Sequence, residues 1–290
     1  MSSPSSAIAA KGETQVSDSA ERFAFGKNWQ RFLKYLTEDR IVEAEKSLCS
    51  MLEVDDLRGK SFLDVGCGSG LFSLAAMRLG AESVDSFDLD PRSVACAQEL
   101  KRRYYDGSPS WTIQQGSVLN SGFLSTLGQF DIVYSWGVLH HTGNMWQALE
   151  NAIPLVETGG KLFIALYNDQ DFLSTTWKAI KQRYNRGLAW RLVIIPTCAT
   201  CFAVASFIKD VLFLRRSPLY RYREYKQARG MAYTTDLLDW LGGYPFEVAR
   251  PDAIFDFFRA NGFQMVKLKT VGLGLGNNEF VFAKQTGWKA

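Results

Sequence analysis

Hydrophobic and polar positions along this chain switch between a helical and an extended period. Over residues 28–52 apolar side chains recur at helical spacing, with Trp29, Phe32, Leu33 and Leu36 on one face and Ile41, Ala44, Leu48 and Leu52 on another. That spacing predicts one or two helices ahead of any sheet. From residue 61 short apolar runs alternate with amphipathic stretches: strand 61–65, helix 69–79, strand 82–88, helix 91–104, strands 111–115 and 130–135, helix 144–156 and strand 160–167. Alternation of this kind specifies an α/β fold with a doubly wound parallel sheet. Pro91 suits the first turn of its helix, and Gly159-Gly160 reads as a turn after a helix end. The pattern resumes at Pro251 with a helix that stops at Gly262, followed by strands at 263–271 and 278–285. The Gly272–Gly276 run between those strands reads as a flexible turn, because no strand-to-helix bend contains it.

Residues 169–250 do not follow the alternation and predict a helical insertion. Its middle, from Leu188 to Asp210, is unusually apolar. The uncharged part, Leu192 to Ile208, contains Pro196 and is only 17 residues long, at the bottom of the ~17–25 a membrane span needs. A buried helical lid over a substrate is the favoured expectation. The alternative is a surface that leans into lipid or takes up an apolar substrate, with peripheral membrane contact through 188–216. Arg215, Arg216, Arg221 and Arg223 flank the stretch and suit either a headgroup-facing edge or a solvated helix. Ahead of the first helices, Met1 to about Asp18 is polar, with neither a basic nor an apolar segment of signal-peptide type, and reads as a disordered tail. The expected division is therefore a tail at 1–20, N-terminal helices and core at 21–168, insertion at 169–250, and a C-terminal helix and β-hairpin at 251–290.

With 290 residues, 47% of them apolar, the chain can bury a large core. Charge changes the picture little. The 33 basic and 30 acidic residues leave a net charge of +3, scattered rather than striped, so a nucleic-acid partner is disfavoured. Five cysteines spread through apolar elements fit a reduced, cytoplasmic setting. Cys198-Ala-Thr-Cys201 has metal or redox spacing, but without a second pair or a nearby His it predicts no metal site.

The chemistry concentrates at two strand ends. Phe62-Leu63-Asp64-Val65-Gly66-Cys67-Gly68-Ser69-Gly70 runs a strand into three alternate glycines and then a helix. Such a bend lets a nucleotide-like ligand touch main chain. Eighteen residues further on, a second strand ends at Asp88-Leu89-Asp90-Pro91, where a carboxylate can accept ribose hydroxyls. The G-x-G-x-G spacing is not the G-x-G-x-x-G of a dinucleotide site. Asp64, just before the first glycine, would repel a pyrophosphate and suit a cationic group.

The run D-V-G-C-G-S-G followed by F-D-L-D-P resembles motif I and the acidic strand end of class I S-adenosylmethionine-dependent methyltransferases. Over about residues 55–168 and 251–285 the chain is similar to bacterial small-molecule methyltransferases of the group that includes the ubiquinone-biosynthesis O-methyltransferases. The resemblance implies a Rossmann-like seven-stranded sheet with an antiparallel last strand. It also implies S-adenosyl-L-methionine as cofactor and methyl transfer to a small or medium-sized acceptor. Asp64, Gly66, Gly68, Gly70, Asp88, Leu89, Ser117, Val118 and Ser135 are its implied cofactor contacts, Ser117 standing where the group commonly has an acid. Matching the group's acidic residues and histidine after the fourth strand leaves Gly137, His140 and His141, so no magnesium site is expected.

Both histidines of the chain, His140 and His141, follow the fourth strand, beside the cleft where strand order reverses. Either is a candidate base for a hydroxyl, thiol or amine acceptor, and either can instead hold the loop together. Trp136 is a candidate cleft wall or cation-binding face, with core packing as the alternative. Tyr167 and Asn168, at the end of the fifth strand, are expected at the same cleft. Segments 229–247, Asn28-Trp29 and 276–280 resemble a bacterial methyltransferase subfamily and are expected around the acceptor. An RNA or protein methyltransferase and a non-catalytic S-adenosylmethionine-binding protein are the rival readings.

Overall fold

The computed structural model describes Phe23, residues 25–208, Val211, and residues 241–272 and 276–287. The expected tail, the arginines at 215–223, Asp236, Asp239 and Trp240 lie outside the described residues.

Helices α1 (Phe25–Phe32) and α2 (Glu38–Leu52) precede β1 (Ser61–Val65), α3 (Leu71–Arg78), β2 (Ser83–Asp88), α4 (Pro91–Tyr104) and β3 (Trp111–Gln115). A short α5 (Ser121–Leu124), β4 (Phe130–Trp136), α6 (Met145–Ala152) and β5 (Val156–Tyr167) follow. The insertion opens with α7 (Phe172–Asn185) and α8 (Leu188–Ile208), and α9 (Pro251–Ala260), β6 (Phe263–Lys269) and β7 (Asn277–Lys284) close the core. The seven strands lie in the order β3-β2-β1-β4-β5-β7-β6, with β7 antiparallel to both β5 and β6 and the other pairs parallel. This is the Rossmann-like sheet that the resemblance implied, with its order reversing between β1 and β4.

Alternate residues of the central strands feed two cores, as the two-residue period of a strand requires. Phe62, Ile132, Tyr134, Phe163 and Val281 join Phe32, Leu48, Leu52, Leu74 and Leu100 from α1–α4 on one face. Leu63, Val133, Leu162, Ile164 and Phe282 join Leu149 of α6 and Ile254 and Phe258 of α9 on the other. The strands are buried on both sides, so they read as apolar runs rather than as alternation.

Among the expected boundaries that moved, three have a clear physical reason. The helix after β1 starts at Leu71 rather than 69, because Gly70 holds a left-handed φ of 80° that a helix cannot use. The helix expected at 144–156 ends at Ala152 and tightens into a 3-10 turn over Ile153–Leu155, where Pro154 contributes no amide hydrogen. Gly159-Gly160 is not a turn: β5 runs through it from Val156. A Cβ on Gly160 would lie 2.8 Å from the carbonyl oxygen of Asp131, so only glycine lets β5 pass β4 there.

Gly70 carries a second constraint, since its missing Cβ would sit 2.8 Å from the Cα of Ala97 in α4. Gly70→Val combines left-handed strain with that overlap and should cost at least about 2 kcal/mol, read as a lowered urea midpoint; an unchanged midpoint would disprove the packing role.

Candidate active site

The bend after β1 is fixed by main chain. The amides of Gly66 and Cys67 donate to the Phe87 carbonyl at 2.8 and 3.0 Å. Gly68 N–H donates to Asp88 Oδ2 at 3.0 Å, and Asp90 N–H donates to Asp88 Oδ1 at 2.8 Å. Asp88 thus ties the glycine loop to the end of β2 with both carboxylate oxygens. The glycines divide their work. A Cβ on Gly66 would strike the Val138 side chain, and one on Gly68 would fall 2.8 Å from the Trp29 indole. Their bareness admits neighbours from the loop after β4 and from α1. Gly70 lets the loop pack against α4, where a Cβ would lie 2.8 Å from the Cα of Ala97.

Asp64 is 2% exposed and receives a chain of donors. Trp111 Nε1 donates to Ser86 Oγ at 2.9 Å, Ser86 Oγ to Ser73 Oγ at 2.8 Å, and Ser73 Oγ to Asp64 Oδ2 at 2.5 Å. Burial nevertheless lifts the Asp64 carboxyl to about 7, against the Ser73 hydrogen bond and with a smaller push from Asp88. Burial also lifts Asp88 to about 6, opposed by its two backbone donors. Among the described residues neither carboxylate forms an ion pair. Two desolvated acids without a countercharge fit a ligand that brings a cation and hydroxyl groups, and disfavour a phosphate. The S-adenosylmethionine implied by the sequence fits that donor set: Asp88 would be the acceptor for ribose hydroxyls, and Asp64 would be the buried carboxylate beneath the loop.

The other expected cofactor residues are less uniform. Leu89 is half exposed beside Asp88, and its carbonyl accepts from Gln115 Nε2 at 3.1 Å. Ser117 Oγ accepts the Leu119 amide at 3.2 Å and Val118 is buried in the second core, so both shape the loop after β3. Ser135 is fully buried and donates to the Val65 carbonyl at 3.1 Å, locking β4 to the end of β1. Trp136 packs against the first core, its expected alternative to a cleft wall. Asn168 bridges β5 to β7: it donates to the Gly272 carbonyl at 3.2 Å and accepts from Asn278 Nδ2 at 3.0 Å.

After β4 the chain makes a 3-10 turn over Leu139–His141. His140 is completely buried, and its Nδ1 accepts the Tyr167 amide at 3.3 Å. The proton therefore sits on Nε2, which has no hydrogen-bond partner. His141 holds the opposite tautomer, because its Nδ1 lies 2.6 Å from the Pro245 carbonyl and must donate. The two rings, 4.3 Å apart between centres, thus offer one Nε2–H donor and one Nε2 lone pair. Tyr167 lies against both rings, and Phe25 lies 5.0 Å from His141. Lys181 of α7 is fully buried, its Nζ 5.4 Å from the Tyr167 ring centre and 4.9 Å from that of Phe246. Burial, then His141 and Lys181, push His140 far below the usual histidine range; burial, with Lys181, brings His141 to about 3.

Segment 244–249 closes this cluster. Glu247 N–H donates to the His140 carbonyl at 3.0 Å, and its carboxylate accepts the Met145 amide at the start of α6 at 3.0 Å. The Phe23 amide donates to the Tyr244 carbonyl at 3.1 Å, and Asn185 Nδ2 to that of Gly242 at 2.7 Å. Sequence reasoning named the histidines, Tyr167 and the 229–247 run, but not Lys181, Phe25 or Val138. No motif marks them; Lys181 shares its helical face with Ser174, Lys178 and Asn185, so no pattern in the sequence sets it apart. Among the described residues no three His, Cys, Asp or Glu side chains come together as a metal site.

The depressed histidines give a signed pH dependence. The unfolded chain takes up their protons near pH 6.5 while the fold resists, so their contribution is complete above that pH and is lost as pH falls toward about 3. Asp64 and Asp88, raised by burial, act oppositely between about 4 and 7, so a variant comparison isolates the histidine. Relative to the parent, His141→Gln should gain about 2 kcal/mol on going from pH 7 to pH 5 in urea unfolding. An equal response of both proteins would show that His141 titrates normally.

Comparison with known proteins agrees with this geometry. Residues 63–162, from β1 into β5, match a family model described as a methyltransferase domain. A segment of 58 residues is 43% identical to ribosomal protein L11 methyltransferase of Photobacterium profundum, covering 20% of each chain. The chain thus spans about a fifth of the length of the curated relatives it matches. The fold is shared more widely. The magnesium protoporphyrin IX methyltransferase of Synechocystis PCC 6803, solved with bound SAH, superposes with a TM-score of 0.52 at 14% identity over 89% of this chain and 94% of that one. The cyclase SpnF superposes with a TM-score of 0.51 at 12% identity over 84% and 80%. Residues 63–162 thus match a methyltransferase domain, and the glycine loop, the acid ending β2 and the 3-2-1-4-5-7-6 sheet are those expected of the class I S-adenosylmethionine-dependent methyltransferase fold.

Proposed function

We propose that this protein transfers the methyl group of S-adenosylmethionine to a small or medium-sized acceptor held over the carboxyl ends of β4 and β5 beneath α7. One observation carries the reading. The residue against Gly66 of the cofactor loop, Val138, is followed directly by Leu139-His140-His141, so the polar cluster around Tyr167 and Lys181 adjoins the cofactor loop. The cofactor, when bound, supplies an already activated methyl group on a sulfonium. The chain's own residues then have to orient the acceptor and keep water out.

His141 offers a lone pair on Nε2, but a pKa of about 3 makes it a weak base at neutral pH. It orients an acceptor proton rather than removing one from an alcohol. The Nε2–H of His140 and the charge of Lys181 favour a nucleophile that is anionic or readily becomes so, such as a carboxylate, phenolate or thiolate. A dedicated metal is not required for such an acceptor. The L11 methyltransferase match covers only a fifth of each chain and gives no support for a protein acceptor, and the SpnF fold supports keeping a non-methylating activity as the alternative.

Two measurements test the proposal. Asp88→Ala removes the ribose acceptor and should weaken S-adenosylmethionine binding by about 1.5–3 kcal/mol, roughly 10- to 150-fold in Kd; unchanged affinity in calorimetry would refute the site. Purified protein given methyl-labelled S-adenosylmethionine and a fractionated cell extract should label the acidic small-molecule fraction. In His141→Ala that label should fall at least tenfold with cofactor affinity kept. Label confined to RNA or protein would overturn the acceptor class, and binding without label in any fraction would favour the non-methylating alternative.

A further inference from the structure

Helix α8 has 21 residues and is therefore about 31 Å long. Its Leu188–Ala205 window has a mean hydropathy of 1.8, yet only 11% of that window is buried. A core helix of this composition is buried, and a signal segment lies at the chain start; α8 is neither. It touches the protein along a narrow stripe, where Ile194 packs with Tyr184 and Leu241, and Trp177 of α7 stacks on Phe202 at 6.1 Å. Away from that stripe Leu188 is 71% exposed, Leu192 67% and Phe207 55%, and at the start of α7 Phe172 is 79% exposed. The turn at Arg186-Gly187 connects α7 to α8 as a helical hairpin, whose exposed surface carries these side chains.

The charge of the hairpin is one-sided. Between Phe172 and Ile208 the sequence holds Lys178, Lys181, Arg183, Arg186 and Arg191 and no Asp or Glu. Arg183 lies over the exposed Trp190 ring at 5.9 Å and Arg191 over Tyr184 at 5.1 Å, which sets guanidinium groups and an amphipathic indole at the same end of α8. A groove-binding protein partner would be met by one apolar stripe; the exposed part of α8 is broadly apolar, with Arg191 near its start and Thr197 and Thr200 as its polar interruptions, a composition that suits a helix lying in a lipid interface. Basic charge without acidic charge matches anionic headgroups.

We infer that the α7–α8 hairpin docks this protein on an anionic phospholipid bilayer, with α8 lying in the interface and its exposed side chains in the acyl boundary. The helix does not cross. Lys178, Gln182 and Arg183 of α7 run beside it, and a transbilayer α8 would carry them into hydrocarbon. Pro196, within the helix, also leaves a backbone carbonyl without its amide partner. Because α7 also carries Lys181 to the histidine cluster, docking puts the acceptor site next to the membrane surface. The inference stands on the hairpin alone and is independent of methyl transfer.

Flotation of the full chain with phosphatidylcholine vesicles and with vesicles that also contain phosphatidylglycerol tests it. The protein should float with the anionic vesicles and less with the neutral ones, and added salt should weaken binding. Leu192→Glu with Val204→Glu should reduce the floated fraction at least tenfold, and Arg183→Gln should reduce it only for the anionic vesicles. Calorimetric binding of S-adenosylmethionine, unchanged in these surface variants, establishes that they are folded and separates this outcome from the test of the reaction. Absence of flotation with either vesicle would overturn the inference. So would a concentration-dependent dimer in sedimentation that Leu192→Glu dissolves, since a second copy would then be what covers α8.

Discussion

The structure is organised around a carboxylate with almost no water. Asp64 ends β1 where the sheet gives way to the glycine loop, and an acid so buried is tolerable only if its surroundings donate to it. They do so across four elements: Trp111 of β3, Ser86 of β2 and Ser73 of α3 pass hydrogen bonds in one direction toward it. The same chain pins β3 to β2, and both to the helix that follows the loop. Even so, burial lifts its carboxyl to about 7, so the Ser73 hydrogen bond alone does not offset the cost of an ionised Asp64.

Around that point the two halves of the site are joined by sterics rather than by polar contact. Gly66 and Gly68 let Val138 and Trp29 approach to distances a side chain would forbid. Val138 leads directly to the histidines, and α1 is held over the loop by the Gly26 amide donating to Asp90 Oδ2 at 3.0 Å. The first helix therefore covers the glycine loop, while the 244–249 segment and α7 cover the histidine cluster. Covering by separate segments is a physical route to varying the acceptor while keeping the cofactor end constant.

The histidines show how burial changes a chemical role. As free side chains both would be competent bases at neutral pH. In the fold they are desolvated beside a lysine, and the Tyr167 amide and Pro245 carbonyl fix them in opposite tautomers. The outcome is a neutral donor–acceptor pair, suited to holding a nucleophile rather than to creating one. Burial and Lys181 bring His141 to about 3, which weakens it as a base at neutral pH.

Much of this was legible in the residues. The alternation of apolar runs fixed the sheet and its helices to within a few residues, since strand and helix periods are local properties of the chain. The glycine spacing with Asp64 and Asp88 marked the cofactor end, because tight turns and strand-end acids are also local. Where local signals mislead, a distant contact decides: Gly159-Gly160 reads as a turn but is a strand passing close to β4. Lys181, Phe25 and Pro245 reach the histidines only through the folding of segments far apart in sequence, and no spacing rule encodes such meetings. Composition gave α8 its apolarity; whether that surface would be core or exterior was a question of burial, and burial is set by how the whole chain packs.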